Sequence, residues 1–500
     1  MLWTAFPPAD LWWLAPVGVA VLSLAAAGRG AWAGAGAGLA YGVGFFTPLL
    51  HFTAVAMGNL VGWVALTLVE SLYLALLGAA WALVSRHRRL NGGRGAAAWR
   101  VCAFAVLWCA VEELRSTWPW GGFPFGRLAY AMAQAPLLPL AAYGGSVGLS
   151  LAVALSGACL AEAIRLARGR RTLAVLGAAA AAGVVVVAPA ALPIGSHAEN
   201  GTLRVGAVQG NVAEDFEDAF NRALEVTSNH TRATEQLAAE VGAGNLDVVI
   251  WPENAADLDP RRFPASAALV ERAAQSAGTQ VLVGAVLFEG GLRYNDMVVW
   301  TPGQGAGDYY RKHLPVPFAE YVPLRDQLRH VTTQVDRIGT DMAPGRGPST
   351  LTIHATTQGR DVPLAMGICF EVSYDEILRA GVLQGGQVIV IPTNNASFLD
   401  SSEAAQQLAQ GQVQAVVHGR SVVQVSTVGL TAVISPEGVI EHSLTPYTQS
   451  ALVAEVSLRT STTIADRLGP VPGLALRLGG LVLLAAGIVD VVRTRRGQDR

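Results

Sequence analysis

Seven apolar runs, near residues 10–28, 30–50, 57–84, 97–115, 137–164, 172–193 and 474–492, are each long enough to cross about 30 Å of hydrocarbon as a helix. Inside lipid every backbone polar group has to be satisfied within the chain, so such runs must become helices. The second run is rich in Gly and Ala, which suits close helix packing. Charged residues make up 14% of the chain and apolar ones 52%, with a mean hydropathy of +0.38, against about 25% charged in soluble domains. The deficit is uneven. Residues 1–200 hold 12 Arg, 6 Asp or Glu and no Lys, so most ionisable groups lie beyond Gly201. A disordered, collagenous or disulfide-rich chain is excluded, and the net charge of −2 argues against a nucleic-acid partner. What remains is a polytopic α-helical membrane bundle that carries one water-soluble domain.

Basic residues give the spans a direction. Arg29 follows the first run, Arg86, Arg88, Arg89, Arg94 and Arg100 the third, Arg165, Arg168, Arg170 and Arg171 the fifth, and Arg493, Arg495 and Arg496 the seventh. Every second loop is basic and is therefore expected on the cytoplasmic side. The alternate segments face outward: 1–9, 51–56, the Trp/Pro-rich loop around Trp118–Phe125, and the large polar region. The expected organisation is a bundle of about six spans over 1–194, an extracytoplasmic domain over 195–473, and a last span with a short basic cytoplasmic tail over 474–500. This places the N-terminus outside with no basic residues ahead of the first span, which suggests a reverse anchor or a missing first helix. Among charged residues within the runs, Glu112, Glu113, Arg477 and Asp490 lie near span ends and are expected to snorkel, whereas Glu70 sits nearer mid-span.

From Leu203 onward the pattern changes to short β-rich runs separated by helical or turn-rich stretches. Strands are expected at Leu203–Val208, Asp247–Trp251, Val281–Leu287, Met297–Thr301, Pro363–Cys369, Gln387–Ile391, Val422–Ser426 and Thr431–Ser435. Helices are expected at Phe216–Val241, Pro264–Ala277, Tyr374–Val382 and Glu403–His418. Alternation of this kind indicates a layered α/β domain with its chemistry just past strand ends. Three such ends carry a reactive side chain: Glu253, Lys312 and Cys369. Taken singly, each has a dull explanation as a loop acid, a surface lysine and a core thiol. Two counts weigh against that. Lys312 is the single Lys beside 34 Arg, and Cys369 is the one Cys of the polar domain, the others being Cys102, Cys109 and Cys159 in apolar segments. A thiol, a carboxylate able to take its proton, and a compact ammonium beside the amide N–H of Phe370 are what acyl transfer through a thioester requires.

Glu, Lys and Cys in this order, each just past an apolar strand, resemble the nitrilase superfamily, whose fold is an α-β-β-α sandwich. With the flanking spans, the chain is similar over nearly its whole length to the apolipoprotein N-acyltransferase family. The matching segments are Trp251-Pro252-Glu253, the stretch KHLPVPFAEYVP over Lys312–Pro323, Cys369-Phe370-Glu371, and Gly122-Phe123-Pro124. The resemblance implies Glu253 as general base, Lys312 as oxyanion stabiliser and Cys369 as the acylated nucleophile. It adds Glu320 and Glu371 as supporting acids and Arg329 as a further matching position. Three departures stand out. The chain begins at Phe6-Pro7-Pro8, resembling the loop after a first span, where the family has eight spans. Thr393-Asn394-Asn395-Ala396-Ser397-Phe398 stands where Asn-Asp-Ala-Trp-Phe is common, and Ser426-Thr427-Val428-Gly429 where Asn-Thr-Gly is.

The implied reaction moves an acyl chain from a membrane phospholipid to the N-terminal S-diacylglyceryl-cysteine of an apolipoprotein, through a Cys369 thioester, at the bacterial inner membrane. The implied partners are the phospholipid donor, the diacylglyceryl-modified acceptor and membrane lipids, acting on a monomer. No cofactor is expected and no metal, because the nine His show no ligand spacing with Cys or acids. Two alternatives remain at this point. One is a membrane-anchored amidase or nitrilase, for which so many spans would be extravagant; the other is a non-catalytic scaffold, which would have no need of all three reactive groups.

Overall fold

The computed structural model describes residues 1–92, 95–169, 171–212, 224–330 and 332–498; residues 216–223 of the expected helix, together with Arg94, Arg170 and Arg500, lie outside them. Contacts divide the chain into two compact units. One comprises Met1–Pro193, Asp400–Ala409 and Arg467–Arg500; the other comprises Ile194–Leu399 and Gln410–Asp466.

In the first unit, helices form over the expected apolar runs. Among the described residues, four helices are long and apolar enough to span a membrane: Leu60–Val84, Leu138–Arg168, Thr172–Ala191 and Val471–Arg493. The other three runs fold as helices at Leu14–Ala26, Ala31–Leu49 and Ala96–Arg115, yet each falls short of that standard. The first has 13 residues, the second is diluted by glycine, and the third carries Arg100, Glu112, Glu113 and Arg115. Glycine serves packing here. A Cβ at Gly38 would stand 2.0 Å from the carbonyl oxygen of Leu74, so helices Ala31–Leu49 and Leu60–Val84 meet backbone to backbone.

The expectation that the span-end acids snorkel is overturned for Glu112 and Glu113. Both are buried and pair with Arg127, and Glu112 also accepts from the Leu128 amide at 3.0 Å. Glu70, equally buried, accepts from Arg115 at 2.8 Å. Arg115 also donates to the carbonyls of Phe123 and Phe125 at 2.6 and 2.7 Å, and its guanidinium lies over the Phe46 ring. A charge taken out of water must find a partner. These residues have found one another instead of reaching for the interface.

The second unit is built on two six-stranded sheets. The first contains β1 (Thr202–Gln209), β2 (Val248–Ile250), β3 (Val281–Glu289), β4 (Leu292–Thr301) and β5 (Gly305–Arg311). The second contains β6 (Thr350–Ala355), β7 (Arg360–Met366), β8 (Ile389–Thr393), β9 (Val422–Ser426), β10 (Ala432–Ile434) and β11 (Ile440–Ser443). A last strand, β12 (Ser450–Ser457), returns to the first sheet, giving the orders β12-β1-β2-β3-β4-β5 and β11-β10-β9-β8-β7-β6. Both sheets are parallel at the centre and antiparallel toward the edges. Side-chain alternation makes the layers. Val205, Ile250 and Leu282 of one sheet meet Leu364, Val390 and Val423 of the other in one buried core. Val249 and Trp251 point the opposite way, into a second core beneath helices Glu225–Val241 and Pro264–Ala277. Helix Asp375–Leu383 packs on β7, on the second sheet. This is the expected α-β-β-α sandwich.

Trp251 also covers His230, whose Nδ1 lies 2.8 Å from the Val226 carbonyl and whose ring centroid is 5.4 Å from that of the indole. Burial pushes the His230 pKa down from 6.5 to about 4, with the Val226 contact acting the other way. The unfolded chain therefore takes up this proton first as pH falls, and stability drains away between about 6.5 and 4. Thermal melting of the detergent-solubilised protein should show this acid slope, and His230→Phe should flatten it. A slope unchanged in the variant would place the acid sensitivity elsewhere.

Candidate active site

Three strand ends supply the site. β2 stops at Ile250, and the chain turns across the neighbouring strand so closely that a Cβ on Gly284 would stand 2.2 Å from the Pro252 carbonyl oxygen. The turn delivers Glu253, which is buried. Its Oε1 accepts from Asn295 Nδ2 at 2.5 Å and from Lys312 Nζ at 3.3 Å, and its Oε2 accepts from the Asn394 amide at 2.9 Å. Lys312 follows β5 and is 1% exposed. Its amide donates to the carbonyl of Asn295 at 2.9 Å, and its ammonium donates to Glu320 at 2.7 Å as well as to Glu253. Glu320 is tied down in turn, its other oxygen accepting from the Val316 amide at 2.7 Å.

Burial by itself would push the Lys312 ammonium down. The carboxylates of Glu253 and Glu320, and the charge of a Cys369 thiolate, outweigh it and carry the pKa above its ordinary value. Lys312 is thus a permanent cation at any working pH, close enough to Cys369 to feel its charge.

Cys369 comes from the second sheet. Beyond β7 the chain runs through Gly367 and Ile368, and Cys369 begins a single turn of 3-10 helix, Cys369–Ser373, with φ +54°. A left-handed backbone is uncommon for a residue with a side chain and costs on the order of 1 kcal/mol or more. None of the four cysteines is in a disulfide. Phe370 is nearly buried and meets the Tyr374 ring edge-on.

Glu371 joins the two halves. Fully buried, it accepts from the Ile368 amide at 2.7 Å, from the His313 and Leu314 amides at 2.6 and 2.9 Å, and from the Tyr310 hydroxyl at 2.8 Å. One carboxylate therefore fastens the turn before Cys369 to the segment after Lys312. The structure brings together Glu253, Lys312 and Glu320, and Glu371 links Cys369 to them. Arg329 is not brought in. It ends a short exposed helix, Arg325–Arg329, and pairs with Asp336 at 2.7 Å. Among the described residues, no group of three or more His, Cys, Asp or Glu side chains could hold a metal.

A model of the apolipoprotein N-acyltransferase N-terminal domain matches residues 1–159, and a carbon-nitrogen hydrolase model matches 204–466. An apolipoprotein N-acyltransferase of Mycolicibacterium smegmatis is 36% identical over 98% of this chain and 83% of its own length. Its counterpart in Azotobacter vinelandii is 32% identical over 95% and 92%. The chain belongs to the apolipoprotein N-acyltransferase family.

Three contributors to this cluster went unread in the sequence. Asn295 contacts both Glu253 and, through its carbonyl, Lys312; Tyr310 supports Glu371; and Asn394 lends its amide to Glu253. The available signal was a buried polar residue interrupting a strand, which Asn295 provides in β4. The two segments that depart from the family pattern turn out to touch. Ser426 Oγ donates to Asn395 Oδ1 at 2.6 Å, and a Cβ on Gly429 would stand 2.4 Å from the same oxygen. Behind them Thr427 Oγ1 reaches the Glu253 carbonyl at 3.4 Å. The departures form one mutually fitted patch at the back of Glu253.

Burial pushes the Glu371 carboxyl up to about 7, although the Lys312 charge and the bonds from Ile368, Leu314 and Tyr310 pull it down. Every one of its partners donates, so only the carboxylate fits. Below about 7 a proton on either oxygen would face a donor and break a bond. Lipopeptide acylation by the purified enzyme should therefore rise with pH through this region. Tyr310→Phe removes one of the bonds holding the pKa down and should move that limb to higher pH. An unshifted limb would mean that Glu371 does not govern it.

Proposed function

We propose that Cys369 carries the acyl chain between a membrane phospholipid and the α-amine of an S-diacylglyceryl-cysteine at a lipoprotein N-terminus. Glu253 takes the thiol proton as Sγ attacks the ester carbonyl of the phospholipid. The tetrahedral oxyanion is met by the Lys312 ammonium and the Phe370 amide N–H. Collapse breaks the ester C–O bond, the proton from Glu253 passes to the departing oxygen, and a lysophospholipid leaves. The acceptor amine then attacks the thioester carbonyl and gives a proton to Glu253; the C–S bond breaks, the amide is left on the acceptor, and Glu253 returns that proton to Sγ. No proton or electron is left over.

The observation that carries this reading is the buried ammonium shared between Glu253 and Glu320 and within electrostatic reach of Cys369. Glu320 neutralises part of the Lys312 charge, so the ammonium does not bind Glu253 so tightly as to spoil it as a base. The basic loops support a cytoplasmic face for one side of the bundle and an extracytoplasmic catalytic unit. Donor and acceptor are both lipid-anchored. Tethering the catalytic unit to the same bilayer confines the search to two dimensions and pre-orients the acyl chains.

Intact mass spectrometry of enzyme incubated with phospholipid should show one fatty-acyl increment, located on Cys369, released by hydroxylamine or by a lipopeptide amine. Cys369→Ala should show none. An increment that survives in that variant would overturn the reading. Lys312→Arg preserves the charge but replaces a compact ammonium with a planar fork. Acylation should fall by about 100-fold, the range seen when one oxyanion-stabilising group is lost; a near-normal rate would remove Lys312 from the transition state.

A further inference from the structure

The segment that carries Glu320 leaves β5 at Lys312 and returns to it, the Gly345 amide donating to the Lys312 carbonyl at 2.7 Å. Glu320 is held by its carboxylate on Lys312 and by its main-chain carbonyl, which accepts from the Met342 amide at 2.9 Å and from Arg293 Nη2 at 3.0 Å. Arg293 belongs to β4 and exchanges backbone bonds with the returning limb: its amide donates to the Asp341 carbonyl at 3.1 Å, and its carbonyl accepts from Ala343 at 2.9 Å. The returning limb is thus anchored to the sheet. The outgoing limb beyond Glu320 is fastened to it through a side chain, that of Asp341. This carboxylate accepts from the Val322 amide at 3.0 Å and pairs with both Nε and Nη2 of Arg325, while Arg325 Nη1 donates to the Val335 carbonyl at 2.8 Å.

We infer that Asp341 and Arg325 form a positioning pair that sets how firmly Glu320 is held on Lys312. Both lie outside the catalytic cluster and act through it. Val322 and Arg325 both lie on the limb beyond Glu320, so weakening either hold that Asp341 has on it, the Val322 amide or the Arg325 guanidinium, loosens the limb that carries the carboxylate. The charge of Asp341 matters to the pair. An uncharged acceptor at 341 could still bind the Val322 amide, but only an anion also draws in the guanidinium. The Asp341 carboxyl is accordingly held below its ordinary value: partial burial would raise it, and the bonds from Arg325 and Val322 with the nearby Arg293 charge prevail. The pair is only part-buried, at 19% and 34% exposure for Arg325 and Asp341.

The inference rests on the acyl-transfer reading, and the test separates the two. Single-turnover acylation of the full-length enzyme in mixed micelles of phosphatidylglycerol and detergent would be measured for Asp341→Asn and Arg325→Gln. The same two changes would be made in a Glu320→Gln background, with Cys369→Ala as control. Each single change should slow acylation by about tenfold, less than the ~100-fold that a 1 Å misplacement of a reacting group can cost. The donor concentration for half-maximal rate should hold, and Arg325→Lys should restore much of the loss. In the Glu320→Gln background the same changes should cost less than about twofold, since a pair acting through one carboxylate has nothing left to position. Equal losses in both backgrounds, or no loss in the single variants while Cys369→Ala is dead, would overturn the positioning role alone. Acylation that persists in Cys369→Ala would overturn the acyl-transfer reading and the inference with it. Should Asp341→Asn misfold, Arg325→Gln leaves the Asp341–Val322 bond intact and carries the comparison by itself.

Discussion

A lysine ammonium sealed from water has to be neutralised where it stands, and much of the second unit is arranged to do so. Taking such an ion into the interior costs several kcal/mol. Lys312 recovers that through two carboxylates, and each carboxylate needs support of its own: Asn295 and the Asn394 amide for Glu253, the Val316 amide for Glu320. The demand spreads outward from one nitrogen to both sheets and to the loops between them. It also explains why a chain that writes Arg at nearly every basic position keeps one Lys: a guanidinium has neither the compactness nor the pattern of donors for a slot between two acids.

The same rule governs the other unit at lower stakes. Glu70, Glu112, Glu113, Arg115 and Arg127 lie within or beside apolar helices, and the fold pairs their charges with one another and ties Arg115 to loop carbonyls. Arg115 pins the backbone at Phe123 and Phe125, so the aromatic loop after that helix is held from within the bundle.

What the sequence disclosed follows a physical line. The eight strands expected are the eight interior strands of the two sheets; the four overlooked, β5, β6, β11 and β12, are the four edges. An interior strand covered on both faces reads as a continuous apolar run, whereas an edge strand is half exposed and its run is broken by polar or small residues. β5 shows this plainly, as Gly-Ala-Gly-Asp-Tyr-Tyr-Arg with one buried residue. The helices Pro264–Ala277 and Glu403–His418 appear with the limits their patterns gave. In the site, Glu253, Lys312 and Cys369 stood out by residue type and position, and Glu320 and Glu371 came from the family resemblance; the structure gathers Glu253, Lys312 and Glu320 and links Cys369 to them through Glu371. Asn295 did not stand out, because a polar side chain in a strand looks like an interruption until its partner is seen. Arg329 was the reverse case, a position matched by pattern whose side chain turns to solvent and to Asp336.

The backbone at Cys369 has one more implication. Its left-handed φ of +54° is a conformation that glycine adopts freely and asparagine tolerates. The sulfur is therefore held at a position where the fold itself would be more comfortable with no side chain at all. Were the chemistry ever to become dispensable in some descendant of this chain, that position would be free to drift toward glycine. The drift would relieve the backbone there while giving up the contact that the Cys369 side chain makes with the core.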